Sequence, residues 1–336
     1  MLIIVAAVAV VSISVLLSLS VYYLWVDLPK EIDCRLKIQL FDLLMRLCQV
    51  YPGMALEFFF SPYHTLRWQR FLYNIFLRRQ TQSPVALITT TLFDGVLCRV
   101  YVPKTSQRST ATIVYFHGGG FCKFSIDNFD AQMVNLVDIT KSTVVAVSYR
   151  LAPEYPYPFP GIDCLKAVLY FLKIGHRHYS LDPENVFLMG DSAGGNLAAV
   201  VARKLSQRSD VPKLKAQILV YPWLQFADLR TPSYQLEPNF TPTALYEELK
   251  PFIFNPDVSP LMAKDCSNLP PTLILTCQYD ILRDDGFWYA KKLEVNGVQV
   301  KLLNYAGGVH GALTMPFGVG KKMMLDVRDY IDSCLQ

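Results

Sequence analysis

The sequence predicts an α/β fold, a three-layer sandwich with a mostly parallel sheet and helices on both faces. Three observations support it. Beyond residue 85, short and near-continuous apolar runs alternate with longer helical stretches. Such runs suit strands buried on both faces, and the helices between them supply right-handed crossovers. The composition, 52% hydrophobic and only 18% charged over 336 residues, provides material for one large core. A chain of this length can be a single α/β unit. Third, the glycine-flanked turn Gly190–Gly194 sits between an apolar run and an Ala-rich helix, as a parallel strand–turn–helix unit requires.

The chain begins with a distinct segment. Met1–Val26 carries no charged side chain; the first is Asp27. A span needs roughly 20 apolar residues. The segment therefore reads as a signal-anchor transmembrane helix. A cleaved signal peptide is the other reading, with Ser18-Leu19-Ser20 as the cleavage site, but its apolar core is normally about 7–15 residues. Orientation is weakly signalled, because Asp27, Glu31 and Asp33 offset Lys30, Arg35 and Lys37. Residues 27–84 form a membrane-proximal or cap helical segment, with Leu36, Leu40, Leu43, Leu44 and Leu47 at helical spacing. Amphipathic helices packing on the body are expected here, with a membrane-facing role for Phe58-Phe59-Phe60 as the alternative.

The body, 85–336, opens with Thr89–Val102, an alternating stretch holding Asp94-Gly95 and therefore a hairpin. Strands are expected at Ala111–Phe116, Thr143–Tyr149, Val186–Met189, Ala216–Tyr221, Thr272–Thr276 and Val298–Leu303. Helices are expected near Asn128–Lys141, Gly161–Ile174, Gly194–Leu205, Asp285–Val295 and Lys321–Cys334.

The net charge of +4 comes from 32 basic and 28 acidic residues, and the basic doublets Arg78-Arg79 and Lys321-Lys322 are isolated. Nucleic acid is therefore not an expected partner. Eight cysteines without CxxC spacing argue against a zinc or thioredoxin-like site, so no metal is expected. Asn239-Phe240-Thr241 is a glycosylation sequon, making Asn239 the acceptor candidate.

The chemistry concentrates in a few motifs. Gly190-Asp191-Ser192-Ala193-Gly194 has the form G-x-S-x-G between strand and helix, which makes Ser192 a candidate nucleophile. Residues two places either side of a strained serine must lack Cβ atoms. The helix dipole beneath the hydroxyl favours developing negative charge. His117-Gly118-Gly119-Gly120 follows a strand, so the N–H groups of Gly118, Gly119 and Gly120 can converge on an oxyanion, with Ala193 N–H completing the hole.

The base follows by elimination among five histidines. His64 lies in the helical segment, His117 in the glycine loop, and His176 and His178 precede the nucleophile. His310 alone follows a later strand, in the order serine, acid, histidine. The acid expected at the end of the preceding strand is Asp280. Asp284 and Asp285 lie where a helix begins and read as its cap. Asp280 would hold the His310 tautomer and stabilise the imidazolium.

These residues resemble a known family, the arylacetamide deacetylases of the hormone-sensitive-lipase branch of the α/β-hydrolases. The resemblance rests on His117–Cys122, Tyr149–Glu154, Gly190–Asn196, Tyr279–Gly286 and His310-Gly311, spanning residues 117–311. It implies cofactor-free hydrolysis of carboxylic esters or aryl amides of lipophilic molecules. It also implies a type II membrane protein with its body in the endoplasmic reticulum lumen, Ser192, Asp280 and His310 as the triad, and Gly118–Gly120 as the oxyanion loop. A non-catalytic small-molecule binder is the rival, because the plant gibberellin receptors resemble the same branch yet lack the catalytic histidine, which is present here. The family's cap interval is shortened here to about 222–270 and is proline-rich, which predicts a more open pocket. In an oxidising lumen, Cys122 and Cys277, each just past a strand end, could pair as a disulfide.

Overall fold

The computed structural model describes residues 25–77, 82–236, 249–315 and 317–336. The apolar segment 1–26 lies almost wholly outside the described residues, as do the sequon at Asn239 and part of the interval 222–270. No helix among the described residues is long and apolar enough to cross a membrane. The chain divides into two compact units, one ending at Leu72 and the other running Tyr73–Gln336. The expected boundary at residue 84 therefore moves inward. The reason lies in the second unit, where Asn128 Nδ2 donates to the carbonyls of Tyr73 and Leu77 and ties that stretch to the hydrolase-like body.

The first unit contains α1 (Arg35–Met45), a π-helical turn (Arg46–Val50), α2 (Tyr51–Phe59) and the start of α3 (Pro62–Phe76). Gly53 lets α2 and α3 meet closely: a Cβ there would lie 2.7 Å from Thr65 Cγ2, and Thr65 Oγ1 donates to Gly53 O at 2.7 Å. Trp68 Nε1 donates to Cys48 O. The leucine spacing behaves differently from expectation. Leu43 is buried, but Leu36, Leu40, Leu44 and Leu47 are exposed, and the packed face carries Gln39, Gln49 and Gly53 instead.

The second unit is built on one eight-stranded sheet. Its strands are β1 (Ala86–Phe93), β2 (Val96–Pro103), β3 (Thr112–Phe116), β4 (Thr143–Val147), β5 (Val186–Asp191), β6 (Ala216–Val220), β7 (Thr272–Tyr279) and β8 (Val300–Val309). Their spatial order is β1-β2-β4-β3-β5-β6-β7-β8, antiparallel at β1-β2 and β2-β4 and parallel elsewhere. The β1-β2 hairpin closes at Asp94-Gly95, both at positive φ, as a tight two-residue turn requires.

Helices α4 (Asp130–Thr140) and α8 (Gly320–Leu335) cover one face, and α5 (Phe159–Lys173), α6 (Ala193–Ser206) and α7 (Arg283–Val295) cover the other. Successive strand residues divide between the two cores. Val114 and Phe116 join the α5–α6 side, whereas Ile113 and Tyr115 join the α4–α8 side. That division explains why the strands read as continuous apolar runs rather than alternating ones.

The expected elements are present, with shifted ends. The largest shift is at β8, which runs on to Val309 through Gly307 and Gly308, residues that read as a loop because glycine weakens strands. Packing reverses that preference, since a Cβ at Gly308 would lie 2.8 Å from Cys277 Sγ. His310 therefore sits directly at a strand end.

Candidate active site

Ser192 follows the last residue of β5 and caps α6, with φ 55° and ψ −119°. A non-glycine residue here carries strain of about 1–3 kcal/mol, which surrounding structure must impose. Two close approaches impose it. A Cβ on Gly190 would meet Gly194 O at 2.2 Å, and one on Gly194 would meet Phe116 O at 1.9 Å. The elbow thus presses against the end of β3, and only glycines allow that distance.

The structure brings the three expected residues together. His310 Nε2 lies 3.0 Å from Ser192 Oγ, and His310 Nδ1 lies 2.8 Å from Asp280 Oδ2. Asp280 is buried, and its Oδ1 accepts the Leu282 N–H at 2.8 Å, which fixes the carboxylate plane. Burial pulls the His310 imidazolium down, but the charge and hydrogen bond of Asp280, with help from Asp191, outweigh it and hold the pKa above its ordinary 6.5. The ring keeps an open side, with the side chain 41% exposed. The Tyr221 ring supports it, with centroids 4.9 Å apart.

The glycine loop is set by residues that sequence reasoning passed over. Asp191, the variable residue before the nucleophile, accepts the Tyr115 hydroxyl at 2.6 Å and the Gly118 N–H at 2.8 Å. Burial raises its carboxyl to about 6 against those two hydrogen bonds. Of the N–H groups expected to line an oxyanion hole, those of Gly118, Gly119, Gly120 and Ala193, the Gly118 N–H is the one that Asp191 accepts. Gly119 and Gly120 take φ 115° and 61°, and Ala193 begins α6, whose first-turn N–H groups lack intrahelical partners. Tyr149 donates to His117 O at 2.6 Å and stacks on the His117 ring with centroids 4.4 Å apart. Burial lowers the His117 pKa to about 4, so this ring is neutral and structural. A buried acid beside the serine was the sequence signal available for Asp191; the role of Tyr149 depends on a contact across 32 residues and had none.

Two expectations are corrected here. Asp284 and Asp285 do not cap α7: the cap position is Leu282, without a side-chain cap, and both acids are buried inside the first turn. Asp285 accepts the N–H groups of Leu224 and Gln225 and the Gln225 side chain, while Asp284 accepts Ser233 N–H at 2.7 Å. Together they hold down the strap that follows β6. Burial raises the Asp285 carboxyl to about 8 against these donors. No disulfide joins Cys122 to Cys277. They follow β3 and lie within β7, with β5 and β6 between. Three strand spacings amount to about 14 Å, whereas a disulfide needs Cα atoms within about 7 Å. Burial also pushes the Cys277 thiol well up, keeping it protonated.

A pocket opens beside the first turns of α6, just past the elbow. Its walls include Phe121, Tyr157, Leu197, Val200, Phe226 and Leu249. Asn196 on its wall is satisfied by Trp223 O and Val258 O, both at 2.7 Å, and Lys204 is paired with Asp257. The pocket thus presents apolar surface with its polar groups already engaged. Among the described residues, no group of His, Cys, Asp and Glu could hold a metal ion.

The site thus sets a strained serine on a strand–helix turn against a histidine and a buried acid delivered by later strands, at the edge of a doubly covered sheet. Over residues 113–314 the chain matches the family model described as alpha/beta hydrolase fold, and it belongs to that family. It is 30% identical to neutral cholesterol ester hydrolase 1 of Bos taurus, over 90% of this chain and 92% of that one. It is 33% identical to arylacetamide deacetylase of Oryctolagus cuniculus, over 70% of this chain and 76% of that one. Among solved structures, a hyperthermophilic esterase from the archaeon Pyrobaculum calidifontis superposes with TM-score 0.72 at 29% identity, covering 80% of this chain and 94% of that one.

Proposed function

We propose that this protein hydrolyses neutral carboxylic esters, and aryl amides, of lipophilic molecules by two-step acyl transfer. The observation that carries the reading is the continuous relay from Asp280 through His310 to Ser192 Oγ, at 2.8 and 3.0 Å. His310 takes the Ser192 proton as Oγ attacks the substrate carbonyl carbon. The tetrahedral oxyanion is stabilised by the N–H groups of Gly119, Gly120 and Ala193. Collapse breaks the bond to the leaving alcohol or amine, which receives the proton from His310, and leaves an acyl-serine. Water then attacks, giving its proton to His310, and the acid departs as Ser192 is restored. Asp280 stays ionised throughout.

The sheet order supports one orientation of the substrate's two halves. His310 follows β8 and the Phe121 loop follows β3, on opposite sides of Ser192 along the sheet edge. The leaving group must face His310 Nε2, so the acyl chain points toward Phe121 and the apolar pocket. The names of the relatives, a cholesterol ester hydrolase and an arylacetamide deacetylase, agree with lipophilic esters or amides. No cofactor is needed for this chemistry. The deciding experiment is labelling with a fluorophosphonate probe, which reacts only with an activated serine. Wild type should label and Ser192→Ala should not; unlabelled folded wild type would overturn the proposal in favour of a non-catalytic binder.

We further propose that residues 1–26 anchor the chain in a membrane as a type II protein, with the body in the endoplasmic reticulum lumen and glycan on Asn239. The support is the charge-free length of that segment and the sequon beyond it. A glycosidase-sensitive mass shift lost in Asn239→Gln is expected. Digestion of the body by protease added outside sealed microsomes would contradict it.

A further inference from the structure

The unit ending at Leu72 has its amphipathic helices turned inside out. Along α1, the π turn and α2, exposed Phe41 and Phe59 flank a row of exposed apolar residues, Leu36, Leu40, Leu44, Leu47, Val50, Met54 and Phe58. Their spacing of three or four residues keeps them on one face for the whole length. Leu36, Leu44 and Met54 are more than half exposed, and Phe58, Phe59 and Phe60 are 85%, 74% and 67% exposed. The face that packs carries Gln39, Gln49 and Gly53 beside the single leucine Leu43, and Gln39 Nε2 donates to the Val26 carbonyl. Water as the outer solvent would favour the reverse arrangement, glutamine outward and leucine inward. Contiguous exposed apolar surface of this extent marks a surface that meets another apolar phase.

We infer that this stripe lies in the interfacial layer of a phospholipid bilayer, with α1 and α2 parallel to the membrane plane. Three features favour lipid over another protein. The sequence of the unit opens with 26 residues without a single charge, so α1 follows closely on the point where the chain would leave the bilayer. The unit carries the basic residues Lys37, Arg67 and Arg70, besides Arg46 paired with Asp42, and Trp25, Tyr51 and Tyr63 suit the headgroup level. The phenylalanine triplet ends α2 as an apolar wedge, with no polar atom that would have to be desolvated. The membrane attachment therefore extends about thirty residues beyond the anchor, and the unit acts as a second, in-plane contact. This inference uses the proposed membrane location but not the proposed catalysis.

The test is photo-crosslinking of the full chain in phospholipid nanodiscs. The photoreactive analogue p-benzoylphenylalanine would replace Leu44, Met54 or Phe58 in turn, with Lys213 of the other unit as the exposed control. Lipid adducts on the tryptic peptides of all three positions, and their absence at Lys213, are the expected result. Crosslinks to a second copy would assign the stripe to a dimer, and crosslinks into residues 73–336 would assign it to the body. Either result overturns the inference, as does a lack of any adduct, which would mean that the stripe faces water. Retention of the wild-type proteolysis pattern by each variant shows that it folds, independently of esterase turnover. Loss of fluorophosphonate labelling with lipid adducts retained would overturn the hydrolase reading alone.

Discussion

Replacing Asp280 by asparagine changes one atom of the relay and leaves its shape. In the native site Oδ1 accepts the Leu282 N–H at 2.8 Å, and Oδ2 accepts from His310 Nδ1 at 2.8 Å. An asparagine must keep its oxygen on the Leu282 N–H, because an amide nitrogen there would face another donor. Its NH2 group is then turned toward His310 Nδ1 and donates to it. The imidazole is forced into the tautomer protonated at Nε2, the nitrogen 3.0 Å from Ser192 Oγ, so it has no lone pair with which to take the serine proton. The expected loss in kcat is about 10⁴-fold, or about 5.4 kcal/mol at 1.36 kcal/mol per decade. The fold should survive, since every backbone hydrogen bond at the site keeps its partner. The assay is kcat/KM on p-nitrophenyl butyrate together with thermal melting of the same preparation. A folded Asp280→Asn protein with a loss of less than about tenfold would refute the claim that Asp280 sets the His310 tautomer.

Further outcomes follow from the same geometry. Catalysis needs neutral His310, whose pKa is held above 6.5, so kcat/KM should fall as pH drops through that raised value; in a pH–rate profile the residual activity of Asp280→Asn should show its acid limb at lower pH. Gly194→Ala drives a Cβ to 1.9 Å from Phe116 O and should destabilise by about 3 kcal/mol or more, whereas Gly161→Ala in α5, with nothing within 4 Å, should be neutral or stabilising by up to about 1 kcal/mol; paired denaturant melts compare them. Cys122 and Cys277 should both alkylate as free thiols after denaturation without reductant, and dithiothreitol should leave Tm unchanged. Leu197→Trp, filling the pocket beside the elbow, should reduce kcat/KM for long-chain p-nitrophenyl esters while sparing the acetate; an equal loss on both would separate that pocket from the acyl chain.

The sequence alone determined the layered fold and the identity of the relay residues, because both depend on local signals. Strands buried on two faces need continuous apolar runs, and a strained serine needs glycines two places away, so each leaves a mark within a few residues. The order of motifs along the chain then selected His310 and Asp280 without coordinates. Tertiary structure decided what depends on which surfaces meet. Gly307 and Gly308 joined a strand only because Cys277 Sγ fills the space where a side chain would stand. The Gly118 N–H turns to Asp191, which comes within 2.8 Å of it from another strand. Asp284 and Asp285, which read locally as a cap, hold a strap some 50 to 60 residues away in sequence. Cys122 and Cys277 were kept apart by two intervening strands that spacing along the chain does not reveal. The leucines of α1 announced an amphipathic helix, but periodicity fixes only that one face is apolar. Which side packs on its neighbours is decided by the fit of whole surfaces, and here the face carrying Gln39, Leu43 and Gly53 packs while Leu36, Leu40, Leu44 and Leu47 remain outside.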